Sequence, residues 1–157
     1  MDIRTAKKEH IEEIVRLCLK LWREHHAINP AFSLHPGIQN TQRRWLREAI
    51  ASRDARVIIA VDSDVTIATA TATVSNSSIF WPERYGYLRD IYVEDTYRRQ
   101  GIGSALTDEL MRWLDKRGAA WVELAALSDN VTANQYWQSR GFKQLFNIYR
   151  RDISDPE

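Results

Sequence analysis

At 157 residues and 18.3 kDa the chain matches one average domain of roughly 150 residues, which leaves no room for a second autonomous one, and a single domain over residues 1–157 is expected. Apolar residues at 44% and charged residues at 27% exclude intrinsic disorder. Twenty-two Lys and Arg against 21 Asp and Glu leave a formal charge of +1, so no broad positive field exists to draw nucleic acid or an anionic membrane; any anion site has to be local. In chain order, Asp2 to Thr5 reads as a first strand, and Ile11, Ile14, Val15, Leu17, Cys18, Leu21 and Trp22 then recur at helical spacing. Ala27 to Asn40 carries Pro30, Pro36 and Gly37 and reads as a loop; Trp45, Leu46, Ala49 and Ile50 mark one face of a second helix. Arg56 to Val61, the turn Asp62-Ser63-Asp64 and the alternating Val65 to Ser75 predict a β-hairpin. Tyr85 to Val93 reads as a further strand, and Ile102 to Leu114 as a helix stopping at Gly118, a residue suited to the left-handed position past a helix end. Trp121 to Leu127 predicts a strand, Val131 to Arg140 a short helix ending at Gly141, and Phe142 to Arg151 a last strand before the polar tail Ser154-Asp155-Pro156-Glu157.

Cys18 is the single cysteine, so neither an internal disulfide nor a CxxC metal site can form, and Ile14 and Trp22 four residues to either side place it on a buried helix face. No apolar run is long enough for a membrane span. The start Met-Asp-Ile-Arg lacks the basic-then-apolar layout of a secretory signal, so a cytoplasmic protein is expected.

The most informative stretch is Arg98-Arg99-Gln100-Gly101-Ile102-Gly103-Ser104-Ala105, between a strand and the start of an amphipathic helix. A helix N-terminus presents unpaired N–H groups and a partial positive charge, and two glycines let that backbone approach a phosphate closely. Arg98 and Arg99 add formal charge for a pyrophosphate. The P-loop pattern fails because no Lys follows Gly103, and the dinucleotide fingerprint fails because its third glycine is missing. Taken alone, Gly-x-Gly serves a tight turn as readily as a phosphate cradle.

Arg98-x-x-Gly101-x-Gly103 after Leu88-Arg89-Asp90-Ile91-Tyr92-Val93 resembles the acetyl-CoA signature of the GCN5-related N-acetyltransferase (GNAT) superfamily. A second block, Asn130-x-x-Ala133 with Trp137 and Gly141-Phe142, resembles that family's Asn-x-x-Ala, aromatic and Gly-Phe. The element order resembles the family core over nearly the whole chain. The resemblance implies an α/β (α+β) fold with a mixed, mostly antiparallel central sheet flanked by helices and splayed between its fourth and fifth strands. It implies acetyl-CoA as cosubstrate, with no metal. Arg98, Arg99, Gln100, Gly101, Ile102, Gly103 and Ser104 would wrap the pyrophosphate, Ile91, Tyr92 and Val93 would pair with the pantetheine arm, and Asn130 and Trp137 would flank the cofactor.

Acetyl transfer requires a neutral amine, attack on the thioester carbonyl and protonation of the departing thiolate. Many relatives place a Tyr acid four residues before the Gly of Gly-Phe. Trp137 stands there, and Tyr136, about 100° around the helix, is left either as proton donor or as packing. Asp90 occupies the family's acidic strand position while Arg89 replaces the acid often found before it. Alternation on a strand puts the two on opposite faces, and Asp90 either accepts the amine proton through water or anchors backbone. His25 and His26 cannot share one helix face, so they read as helix-end cations instead of a metal clamp. Trp22, Trp45 and Trp113 read as core, and Trp81 and Phe32 as acceptor-pocket residues. The expectation is a single-domain N-acetyltransferase acting on a primary amine of a small molecule or protein, against a non-catalytic acyl-CoA-binding or sensor module. No nucleic-acid or membrane partner is expected, and exposed strand edges together with family habit suggest a homodimer.

Overall fold

The computed structural model describes residues 1–153, so the expected tail Ser154 to Glu157 lies outside them. The chain groups into two compact units, residues 1–125 and the residues from Ala126 onward.

The first unit comprises β1 (Asp2–Thr5), α1 (Ile11–Ile28), α2 (Ile38–Ala51), β2 (Ala55–Asp62), β3 (Val65–Asn76), β4 (Arg84–Val93), α3 (Ile102–Lys116) and β5 (Trp121–Glu123). The strands form one sheet in the order β1-β2-β3-β4-β5, antiparallel except for the parallel pair β4–β5. A parallel neighbour demands a crossover, which α3 supplies. The expected hairpin forms: Ser63 and Asp64 both take left-handed backbone (φ 47° and 65°), the pattern of a two-residue turn whose twist suits the flanking strands.

Strand alternation sorts the core into two layers. Val57, Ile59 and Val61 of β2 pack with Ile14, Val15 and Cys18 of α1 and Leu46 and Ala49 of α2. Cross-strand register puts Thr69 and Thr71 on that same face and Ala68, Ala70, Ala72, Gly86 and Leu88 on the opposite one. There Gly86 lies directly under Leu114 of α3, where a Cβ would come within 2.7 Å of the leucine methyls. Small residues on this face let the helix settle close to the sheet. Gly118 takes the left-handed conformation (φ 75°) past the end of α3, as expected.

The predicted strand Trp121 to Leu127 is cut to three residues, since its ladder with β4 ends at the Tyr87–Glu123 pair and the following Leu-Ala-Ala run has no strand partner among the described residues. In the second unit α4 spans Val131–Ser139, one residue short of expectation. The predicted last strand, Phe142 to Arg151, does not form. Its apolar residues come in adjacent pairs, Leu145-Phe146 and Ile148-Tyr149, which cannot share one face of a strand, and Ile148 is 92% exposed. The sheet of the described residues therefore ends at β5, and the divergence of β4 from β5 occurs at its margin.

Candidate functional site

β4 holds both the open edge and an irregularity. Pairing with β5 covers only Tyr85 to Tyr87, which leaves Leu88 to Val93 without a strand partner on that side among the described residues. On the β3 side the register jumps: Thr69 faces Tyr92 while Thr71 faces Arg89, so Asp90 and Ile91 together oppose Ala70. This is a β-bulge, and Asp90 takes the left-handed conformation that such an insertion uses (φ 53°).

The bulge corrects the expectation that Arg89 and Asp90 point to opposite faces. Both turn toward α2: Arg89 Nε donates to Asp90 Oδ2 at 2.9 Å, Gln42 Nε2 donates to the same oxygen at 3.2 Å, and the Arg89 guanidinium lies 4.1 Å over the Trp45 ring. The Asp90 side chain is only 8% exposed, so these donors are what make a buried carboxylate tolerable. Gln42 also reaches the Cys18 sulfur at 3.5 Å, and burial, reinforced by the Asp90 charge, pushes the Cys18 thiol up, so that it remains a protonated core group. Gln42 was missed from sequence. The available signal was a polar residue in register with Trp45, Leu46 and Ala49 on the apolar face of α2.

After Val93 the chain passes through a 3-10 turn at Asp95–Tyr97 into the glycine-rich segment. Glu94 ties this corner to α1, accepting from Lys20 Nζ at 2.7 Å and from the Arg16 guanidinium. Arg98 donates from Nε to the Val93 carbonyl at 2.9 Å and pairs with Glu24 at 2.6 Å and Asp95 at 2.9 Å, so its charge is engaged in holding the corner. Its guanidinium lies 5.1 Å from the ring centre of Tyr92, whose phenol burial pushes up to about 12. Arg99 and Gly101 both take left-handed backbone (φ 60° and 80°), and Gly101 is the N-cap of α3. A Cβ on Gly101 would meet nothing within 4 Å, so the space over the helix start is open. The first turn carries no acidic residue and no side-chain cap; its first intrahelical bond is Ala105 N to Gly101 O at 2.9 Å, which leaves the N–H groups of Ile102, Gly103 and Ser104 outside the helical ladder. A Cβ on Gly103 would come within 3.8 Å of Val93 Cγ2, so the helix start lies beside the end of the open edge.

A cavity of about 120 Å³ is lined by Trp22 and His25 of α1 and by Phe32, Ser33 and Leu34 of the loop before α2. Phe32 therefore sits in a pocket, whereas Trp81 is 87% exposed on its loop. Trp22, Trp45 and Trp113, expected in the core, are each only half-buried at its margin. Burial lowers the His25 pKa against the opposing pull of Glu24 and Asp90, which disfavours the helix-end cation expected there.

In the second unit Asn130 is the N-cap of α4: its Oδ1 accepts from Ala133 N at 3.0 Å. Trp137 packs edge-on against Tyr136 (4.8 Å between centroids) and Phe142 (5.4 Å). No helix among the described residues is long and apolar enough to cross a membrane.

The fold is shared with known structures. The tetramutant of a Bacillus halodurans protein superimposes with a TM-score of 0.85 at 17% identity, over 98% of this chain and 100% of that one. A Clostridium acetobutylicum protein described as a predicted acetyltransferase, with acetyl-CoA, gives 0.80 at 19% identity, over 97% and 96% of the two chains. The family model described as Acetyltransferase (GNAT) family matches residues 12–142, and the chain belongs to this family. Among relatives, the ribosomal protein bS18-alanine N-acetyltransferase of Escherichia coli is 39% identical over 57 residues, a stretch covering 36% of this chain and only 38% of that relative's length.

Proposed function

We propose that the chain is an acetyl-CoA-dependent N-acetyltransferase that moves the acetyl group directly to a primary amine of a small molecule or protein. The observation that carries this reading is the continuity of an unpaired strand edge, Leu88 to Val93, with an uncapped helix start opened by Gly101 and Gly103. An extended pantetheine arm can pair with main chain at Ile91, Tyr92 and Val93, and the N–H groups of Gly101 to Ser104 suit its pyrophosphate. Arg98 supports the cradle by fixing Val93 and the corner, while the exposed Arg99 and Gln100 border it. Bound acetyl-CoA supplies the thioester; the protein's part is to orient it, exclude water and hold the acceptor.

The resemblance also assigns Asn130 and Trp137 to the cofactor and leaves Tyr136 as candidate donor to the thiolate. A near-wild-type rate in Tyr136→Phe would remove it from the mechanism. The sensor reading is favoured by two features, Trp137 at the position of the family's Tyr acid and Arg89, paired with Asp90, in place of a second acid. We read the protein further as cytosolic and as a homodimer, the latter tested by sedimentation over a concentration series: a constant 18.3 kDa species refutes it.

The decisive experiment couples binding to turnover. Acetyl-CoA is expected to raise the melting temperature, and a pooled set of primary amines to release free CoA. A folded Gly101→Asp/Gly103→Asp double variant is expected to lose the shift, because it adds bulk and negative charge to the cradle. Unchanged acetyl-CoA affinity in that variant overturns the site, and binding without CoA release from any amine selects the sensor.

A further inference from the structure

We infer that His25 takes the proton from the arriving amine and that the cavity it lines admits a monoamine carried on an apolar, ring-sized body; the inference rests on the acetyltransferase reading above. The cavity's other lining residues are Trp22, Phe32, Ser33 and Leu34, none of which carries a formal charge. A polyamine or an aminoglycoside would bring a second ammonium group against these uncharged walls, where the nearby carboxylates Glu24 and Asp90 are already paired with Arg98 and Arg89, so its desolvation is poorly offset. The volume of about 120 Å³ is comparable to the roughly 150 Å³ cavity that accepts a benzene ring. Phe32 and Leu34 remain 48% and 37% exposed, and a bound apolar body would cover them.

The charges acting on the imidazole are Glu24 on its own helix and Asp90 on β4. Arg98, which donates to the Val93 carbonyl at the end of the open edge, engages Glu24, the residue before His25, and Gln42 with Arg89 holds Asp90 at the bulge, so α1 brings the His25 end of the cavity toward that edge. Burial prevails over both carboxylates and keeps His25 neutral at neutral pH, with a lone pair available. Asp90 then stabilises the imidazolium once it forms, which makes it a positioning residue. The same apolar walls strip water from the bound ammonium and lower its pKa toward that of the imidazole.

The chemistry balances. The imidazole takes one proton from R–NH3⁺, and the freed lone pair forms a C–N bond to the thioester carbonyl. The C–S bond breaks with its electron pair leaving on sulfur, the second nitrogen proton goes to that thiolate, and the imidazolium returns its proton to solvent.

The test uses the full chain with acetyl-CoA and two probe amines, phenethylamine and spermidine. Wild type is expected to prefer phenethylamine, and its kcat/KM is expected to fall on the acid side along a limb below the ordinary imidazole value of about 6.5. His25→Gln is expected to erase that limb and lower kcat/KM about 100-fold while acetyl-CoA affinity stays within about twofold. Asp90→Asn is expected to move the limb further down, and Phe32→Ala to raise KM for phenethylamine. A preference for spermidine overturns the substrate class, and a persisting limb in His25→Gln, or a rate within about threefold of wild type, overturns the proton acceptor. If His25→Gln does not fold, the wild-type profile decides: a limb below the ordinary value supports His25 and a flat profile down to about pH 5 overturns it. Wild type that fails to bind acetyl-CoA overturns the acetyltransferase reading itself, and this inference with it.

Discussion

The two faces that β3 and β4 present are built from different materials, although β2 lines the α1 and α2 side with Val57, Ile59 and Val61. Toward α3 the strands present Ala68, Ala70, Ala72, Gly86 and Leu88, met by the fully buried Leu106, Leu110 and Leu114. Toward α1 and α2 the same strands present Thr69, Thr71, Arg89 and the bulged Asp90, met by Gln42 and Cys18. Thr69 satisfies its hydroxyl on the Ile58 carbonyl at 3.3 Å, whereas the buried Thr71 hydroxyl has no partner among the described residues. One face is a packing surface in which shape decides stability. The other accepts buried polar groups that weaken packing, and it is the face that carries the charged groups of the candidate site.

The comparison is broken most directly at Leu114. Leu114→Ala is expected to lower unfolding free energy by about 3 kcal/mol, because it removes buried methyls and leaves a cavity against a close-packed face. Gly86→Ala is expected to cost about 1–3 kcal/mol, since its Cβ would arrive 2.7 Å from Leu114 Cδ1 and Cδ2 in a core with no slack. The double variant sharpens the point: with Leu114 shortened, the new Cβ finds room, and the double variant's loss should fall short of the sum of the two single losses by at least about 0.5 kcal/mol in urea unfolding. Strict additivity would show that Gly86 is there for a reason other than α3. On the polar face the expected loss is smaller. Gln42→Leu leaves the Asp90 carboxylate with Arg89 as its remaining donor, for a cost of about 1–2 kcal/mol, the lost charged hydrogen bond being partly offset by apolar contact with Cys18.

The same contrast explains what could be read in advance. The packing face rests on local signals: alternation in Val65 to Ser75, helical spacing in Ile102 to Leu114, and turn chemistry at Ser63-Asp64, all of which follow from side-chain periodicity and backbone sterics. The open helix start was legible too, because Gly101 and Gly103 stand where a strand turns into a helix. The polar face was not. Arg89 and Asp90 obey alternation in sequence, and only the inserted residue of the bulge, a product of β3–β4 register, turns both toward α2. Arg98 reads as a free charge for a phosphate because Glu24, 74 residues away in sequence, becomes its partner only after folding brings α1 to the corner, where it joins the local partner Asp95. The strand expected from Phe142 to Arg151 failed for the complementary reason: strand propensity describes fit to a neighbour, and nothing within ten residues specifies one.

The smallest expected effect lies where the two faces meet, at Glu94, the residue following β4. Burial by itself would raise the Glu94 carboxyl, yet hydrogen bonds from Lys20 and Arg16 outweigh it and hold the group below the usual carboxylate range. A carboxyl whose pKa is lower folded than unfolded contributes stability that is fully present above its unfolded value, about 4.3, and is lost as pH falls through the lower folded value. Because Arg16 and Lys20 are both more than a third exposed, solvent screens the pairs, and Glu94→Gln is expected to cost only about 1 kcal/mol at pH 7. The discriminating measurement is the pH dependence of urea unfolding. The wild type should lose stability more steeply than Glu94→Gln below about pH 4.5, and the two curves should converge as the wild-type carboxyl is protonated. Parallel curves across that window would mean that the corner is held by Arg98 on Val93 and Glu24 alone, and that Glu94 merely neutralises two helix cations.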